Sequence, residues 1–195
     1  MPEYEFTFVV DGTDLDDDAL QVLTDDLDAL FSRFHGVLRM SVAAEGPNAV
    51  AAAAEVFAHV RMHAGRVRLV RLDRDLVGVA DIAERTGRTR QNVTQWIRGE
   101  RRNSEGAAFP RPEGAVGRSL VWLWSEVNEW LRGIGLDDGE NHPTRSEMTD
   151  IDYRLQQWNP NNFPYRRSFP SSGTRSDSER HPWIRYVGLE ETPSP

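Results

Sequence analysis

The sequence predicts an α+β protein in three parts, and three observations carry that expectation. Residues 1–75 read as strand, helix, strand, strand, helix, strand. Residues 76–133 hold a pair of short helix patterns, then a proline-led hairpin and a third helix. Residues 134–195 turn polar, with one helical stripe at 147–158.

In the first part, Tyr4, Phe6, Phe8 and Val10 alternate with other residues, the pattern of a half-buried strand. Asp11-Gly12 turns the chain. Thr13 or Asp14 then caps a helix whose first turn holds Asp16, Asp17 and Asp18, acids that suit the positive end of the helix dipole. Leu15, Ala19, Leu20, Leu23 and Leu27 form its apolar face. The acidic triplet lacks the glycine and terminal Glu of a calcium loop, so it reads as capping. Residues 29–33 and 37–42 form two strands around Phe34-His35-Gly36, with the helix–strand boundary near Asp28 left open. Asn48 caps a second helix, whose stripe is Val50, Ala53, Ala54, Phe57 and Val60, and Gly65 ends it. Val67, Leu69 and Val70 lead a last strand to Leu72. This order is the split βαβ arrangement of ferredoxin-like domains, an antiparallel four-stranded sheet with two helices on one face. A dimer partner, the following domain or solvent covers the other face.

Composition narrows the function classes. The chain has 195 residues, and its 38% hydrophobic content is low for one compact domain, so part of it is expected to be unfolded. It has no cysteine, which excludes a disulfide framework, a thiolate zinc site and a cysteine nucleophile. No run approaches the roughly 18 apolar residues of a membrane span. Met1-Pro2-Glu3-Tyr4-Glu5 lacks the basic start of a secretory signal. The expected compartment is the bacterial cytoplasm, at the nucleoid, with no membrane partner.

Candidate chemistry is sparse. No Gly-rich phosphate loop and no Ser/His/Asp elbow occurs, so no catalytic residues and no enzyme are expected. His59 and His63 stand four apart and could share a metal. The intervening Val60-Arg61-Met62 lacks the Glu of a zinc-protease motif, and the sequence offers no evident third ligand. Surface or partly packed histidines, no metal and no cofactor are expected. Phe6 and Phe8 do not make an RNA-stacking platform, because the third strand carries no aromatic residue and the half is acidic.

The charge distribution points elsewhere. All 23 basic residues are arginine, which a GC-rich genome explains on its own. Their placement is more informative. Residues 1–76 carry seven Arg against fourteen acids, net −7. Residues 85–118 carry eight Arg against Glu100, Glu105 and Glu113, net +5. Residues 133–195 carry seven Arg against ten acids, net −3. One basic island in an acidic chain is the footprint of a nucleic-acid site.

That island coincides with the helix pair. Ala80, Ile82 and Ala83 give the first helix a small apolar face, and Gly87 ends it. Thr89 caps the second helix near Asn92. Val93 and Ile97 share a face and pack on Ile82 and Ala83. Arg90, Gln91, Asn92, Thr94, Gln95 and Arg98 remain outside, donor-rich and free of acid, as a major-groove helix requires. Phe109-Pro110-Arg111-Pro112 leads into a hairpin with Gly114 and Gly117 near its tip, followed by a strand ending at Trp124. Ser125 caps a helix to Gly133, with Val127, Trp130 and Leu131 inward. Trp96, Trp122, Trp124 and Trp130 read as core rather than as a stacking surface.

Taken together, Ile82-Ala83, Gly87, Val93, Trp96-Ile97, Phe109-Pro110, Trp124-Ser125, Val127 and Trp130-Leu131 resemble the winged helix-turn-helix of excisionases, AlpA-like regulators and the MerR group. The resemblance covers residues 76–131. It implies a second helix in the major groove and a wing on the backbone or minor groove. Thr89, Arg90, Gln91, Asn92, Gln95, Arg98, Arg101 and Arg102 would then face the groove or its phosphates, and Arg111 and Arg118 would make wing contacts. No long coiled-coil helix follows, so the dimerisation and metal sensing of full MerR regulators do not transfer.

The expected function is therefore sequence-specific binding of double-stranded DNA by a transcriptional regulator, acting as a homodimer or as several copies on DNA. An excisionase-like architectural accessory factor shares the motif. A protein-interaction module, such as an antitoxin or adaptor, is the reading from a different class. In the tail, Met148, Ile151, Leu155 and Trp158 form a stripe that packs on the wing domain or on a partner. Beyond Asn159 the composition predicts disorder; Trp183, Ile184 and Tyr186 interrupt it and read first as part of an unstructured tail, with a short docking motif for a protein partner as the alternative.

Overall fold

A computed structural model describes residues 1–100 and 106–159, which fall within one compact unit, Met1–Asn162. The described residues form a mixed α+β structure of six helices and two antiparallel sheets. The expectations for residues 160–195, the Trp183-Ile184-Tyr186 motif among them, lie outside the described residues.

The first sheet comprises β1 (Glu3–Asp11), β2 (Leu30–Phe34), β3 (Val37–Glu45) and β4 (Arg68–Leu72), in the order β2-β3-β1-β4. The alternation read from the sequence sets its faces. Phe6, Phe8 and Val10 point inward, as do Leu38, Met40 and Val42 opposite them on β3. Phe6 and Phe8 are therefore core residues. His35 and Gly36, both at positive φ, make the two-residue turn between β2 and β3. The opposite face carries a Thr7–Ser41 hydroxyl pair at 3.1 Å and Arg39, which pairs with Asp73 at 2.8 Å.

Two helices, α1 (Asp18–Leu27) and α2 (Ala49–His63), cover the inner face. Asp17 is the N-cap of α1, accepting from the Ala19 amide at 3.0 Å, so neither Thr13 nor Asp14 holds that role. The helix starts later than its acids suggest, which leaves Leu15 ahead of it and exposed. Asn48 caps α2 as expected, accepting from the Ala51 amide at 2.9 Å. The buried stripe of α2 is Ala49, Ala52, Ala53, Val56, Phe57 and Val60, while Val50 and Ala54 are half-buried. Ala64, one residue before Gly65, is its C-cap.

The chain next forms β5 (Leu76–Val77), α3 (Val79–Arg85), α4 (Arg90–Ile97), β6 (Gly114–Val116), β7 (Ser119–Leu123) and α5 (Trp124–Arg132). The strands pair as β5-β7-β6, and a second core gathers Val77, Ile82, Val93, Trp96, Phe109, Trp122, Trp124 and Trp130. Gly114 sits in a strand opposite Val121, so the hairpin tip is Gly117 and Arg118 alone. Ser125 does not cap α5. That helix begins at Trp124, whose amide donates to the Asp75 carbonyl at 2.8 Å.

The last described helix, α6 (Arg145–Trp158), corrects the expected packing of its apolar stripe. Met148, Ile151 and Leu155 enter the first core, not the second, and Trp158 packs tilted against Phe57 with ring centroids 4.6 Å apart. The edge strand explains the choice. The outer side of β4 has no strand neighbour, and Asp152 accepts its Leu72 amide at 2.7 Å while Asn159 Nδ2 donates to the Leu69 carbonyl at 3.1 Å. Buried backbone groups need such partners. Thr144 and Glu147 close a capping box at the start of α6.

Candidate nucleic-acid interface

Local chemistry builds the helix pair. Asp81 Oδ2 accepts the Gly78 amide at 2.7 Å at the start of α3. At its end the Thr86 hydroxyl donates to the Ile82 carbonyl at 2.6 Å. Gly87 follows with φ +62°, and the Arg88 amide reaches back to the Ala83 carbonyl at 2.9 Å. Thr89 then caps α4, accepting the Asn92 amide at 3.2 Å. Val93 and Trp96 are the buried residues of α4, with Ile97 half-buried beside them. Trp96 is a core residue, as the sequence reads it, and Ile97 packs against the same core less completely than Val93. Ala80 is exposed, so Ile82 and Ala83 carry the inner face of α3, with Val79 half-buried against the same core.

The tryptophans hold the surrounding frame. Trp122 Nε1 donates to the Pro110 carbonyl at 3.1 Å, and Trp130 Nε1 donates to the Ala107 carbonyl at 3.0 Å. Phe109 sits edge-on to both rings. The segment entering the hairpin is therefore pinned to the core at three points. Trp122 and Trp130 have their N–H groups satisfied internally and their faces buried, which leaves neither to stack on bases.

The outer surface carries the side chains singled out by sequence. Thr89, Arg90, Gln91 and Arg98 are exposed, while Asn92 and Gln95 are half-buried on the same helix. Thr94 spends its hydroxyl on the Arg90 carbonyl at 2.8 Å. Arg111 precedes the hairpin and Arg118 forms its tip, both exposed. Arg101 and Arg102 lie outside the described residues. Arg88 joins the group as an exposed residue just before the cap of α4, a place the basic island indicated but the helix pattern did not.

Ion pairing separates these arginines from most of the others. Arg33, Arg39, Arg68, Arg71, Arg74, Arg132 and Arg145 each hold a carboxylate. Arg85 binds Asp75 through two hydrogen bonds of 2.6 and 2.9 Å and lies 4.6 Å over the Trp124 ring. That bond to Asp75 pushes its guanidinium further above its ordinary value. Arg85 is thus a structural residue. By contrast, Arg88, Arg90, Arg111 and Arg118 make no ion pair among the described residues, and Arg98 has only a loose contact with Glu100 at 3.9 Å. Glu113, the acid nearest the wing, is already held by Arg145.

Behind this surface, Asp138 knits the second core to the return connection. It accepts from Trp124 Nε1 at 2.8 Å, Asn128 Nδ2 at 2.7 Å and His142 Nε2 at 2.8 Å. Burial acts to raise its pKa, but the bonds from His142, Trp124 and the Glu140 amide win and hold the carboxyl below its usual range. Asn128 is 1% exposed, and its amide oxygen accepts the Asp138 amide in return. No helix among the described residues is long and apolar enough to cross a membrane. Comparison with protein-family models, curated proteins and solved structures finds no match to this chain.

Proposed function

We propose that this chain is a sequence-specific duplex-DNA-binding protein, a transcriptional regulator, in which a winged helix-turn-helix is carried on a ferredoxin-like domain. The βαββαβ order with strand order β2-β3-β1-β4 supports the second name, and the α3–α4 pair followed by the β6–β7 hairpin supports the first. One observation carries the functional reading. Arg88, Arg90, Arg111 and Arg118, on and beside α4 and the hairpin, make no ion pair among the described residues, whereas eight of the eleven described arginines elsewhere, all but Arg61, Arg66 and Arg154, hold a carboxylate.

In this reading Arg90, Gln91, Asn92 and Gln95 meet base edges, each good bidentate contact contributing about 1–3 kcal/mol of discrimination. Arg88, Arg98, Arg111 and Arg118 meet phosphates and set the register. A single module has a small footprint, so useful specificity calls for two or more copies on DNA.

The test is selection of bound sequences from a random duplex library at fixed salt. One enriched palindrome supports the regulator. Tandem sites with strong bending support an architectural accessory role instead. Absence of enrichment, with retained binding to an acidic protein partner, supports the interaction-module reading. Arg90→Ala with Gln95→Ala is expected to abolish enrichment, and unchanged selection by that variant overturns the groove assignment.

A further inference from the structure

The structure completes a constellation that the sequence left short by one ligand. His59 and His63 lie one turn apart on α2, and their rings stack with centroids 4.3 Å apart. Asp26, near the end of α1, brings a carboxylate oxygen to 3.0 Å from His59 Nε2. One donor atom from each of the three residues lies within 4.8 Å of the other two. Thirty-three residues separate Asp26 from His59, and only the packing of α1 beside α2 unites them.

We propose that Asp26, His59 and His63 form a binding site for a divalent transition-metal ion of the zinc class. Two imidazoles and one carboxylate suit a borderline ion, whereas magnesium and calcium prefer sets made of oxygen alone. Zinc takes such ligands at about 2.0–2.2 Å, so a tetrahedral ion needs donors about 3.3 Å apart. Rotamer changes of exposed Asp26 and His63 and of half-buried His59 are needed to close the present spacing to that value. Three protein ligands leave the fourth position to water.

The surroundings favour a cation. The groove that holds Asp26 and His59, beside His63, is also lined by Asp25, Asp28, Glu45 and Glu55, and no arginine lines it. Asp25 is engaged by Gln21 at 2.8 Å, which leaves Asp26 as the carboxylate turned to the histidines. All three ligands reach solvent, with His59 the most covered. An ion here ties the outer helices of the N-terminal domain to one another, a role separate from the proposed DNA surface on α4.

A simpler arrangement is the Asp26–His59 hydrogen bond alone, and His63 distinguishes the two. The experiment is calorimetric titration of the untagged, chelator-treated full chain with zinc sulfate, paired with thermal melts. The expected result is one ion per chain with a Kd of about 1 µM or tighter, and a melting temperature that rises with zinc. His63→Ala and Asp26→Asn are each expected to weaken binding by about tenfold or more and to remove the thermal shift. His35→Asn, at an exposed turn, serves as the control and is expected to bind as the parent does. His63 is exposed, so its replacement leaves the fold intact, which the melt without zinc verifies. No one-to-one binding by the parent chain, or binding unchanged in both ligand variants, overturns the proposal.

Discussion

Trp124 and Asp138 are joined by a 2.8 Å hydrogen bond from the indole Nε1 to the carboxylate. The bond links the first residue of α5 to the segment that carries the chain back toward β1. That segment continues the bonding at the sheet margin, where the Glu5 amide donates to the Asn141 carbonyl at 3.2 Å and Asn141 Nδ2 donates to the Glu3 carbonyl at 3.0 Å. Asp138 is thus the polar centre through which the two cores are held in register.

Replacing that carboxylate has a signed pH consequence. The folded pKa of Asp138 is depressed, so its contribution to stability is present above the unfolded carboxyl value, about 3.9, and is lost as pH falls through the lower folded value. Asp138→Ala is expected to cost on the order of 1–3 kcal/mol near neutral pH, since three donors lose their acceptor at a partly exposed site. Denaturant melts at pH 7 and pH 3 check this, and the difference between parent and variant should shrink at the acid end.

Asp152 has the opposite sign. Burial raises its pKa, outweighing the Leu72 amide and the charges of Arg74 and Arg71. Its folded form therefore binds a proton more readily than the unfolded chain, and acidification through the raised folded value adds stability from this group. Asp152→Ala nonetheless removes the acceptor of the β4 edge amide, so it is expected to cost about 1–3 kcal/mol at pH 7. Hydrogen exchange at the Leu72 amide, faster in the variant, reads the local effect.

On the proposed reading, the hairpin and α4 fail differently. Arg111→Ala and Arg118→Ala are expected to weaken duplex binding about equally on all sequences and to reduce the salt slope by about one each. Arg90→Ala should instead relax the preference at particular base pairs. Affinity measured against a panel of single-base variants over a salt series separates these outcomes.

Trp96→Ala tests the core without touching the outer face. Its indole packs on Trp130 with centroids 5.6 Å apart, and truncation is expected to cost about 3–5 kcal/mol. Loss of DNA binding in this variant should track loss of folded protein in a circular dichroism melt.

Gly12→Ala is expected to be disruptive for two reasons. Gly12 has φ +83°, and a Cβ placed there would run into the Arg66 carbonyl. Gly87→Ala meets nothing within 4 Å, so only its φ of +62° counts against it, and a loss near 1 kcal/mol is expected. Chemical denaturation of the two variants side by side checks the ranking.

Much of this was legible because local rules govern it. Strand alternation placed Phe6, Phe8 and Val10, and the caps Asn48 and Thr89 stand where side-chain chemistry puts them. The three acids and one threonine between β1 and α1 compete for one capping place, and composition cannot rank them; geometry chose Asp17. The stripe of Met148, Ile151 and Leu155 showed that α6 has an apolar face but not which core would take it. Only the exposed β4 edge, a product of topology, decides that. The same limit hid Asp26 from His59 and His63, because the contact depends on how two helices pack.

The return of α6 orders events during synthesis. Leu72 closes the sheet early, yet the helix that seals it ends at Trp158. Those roughly 85 intervening residues take on the order of ten seconds to make at typical ribosomal speeds. During that interval Phe57 and the β4 edge await their cover, while the second core already has every strand and helix it needs by Arg132. The second core can therefore mature on the ribosome before the first, and the first core's open flank is the stage at which a nascent chain would profit from a chaperone.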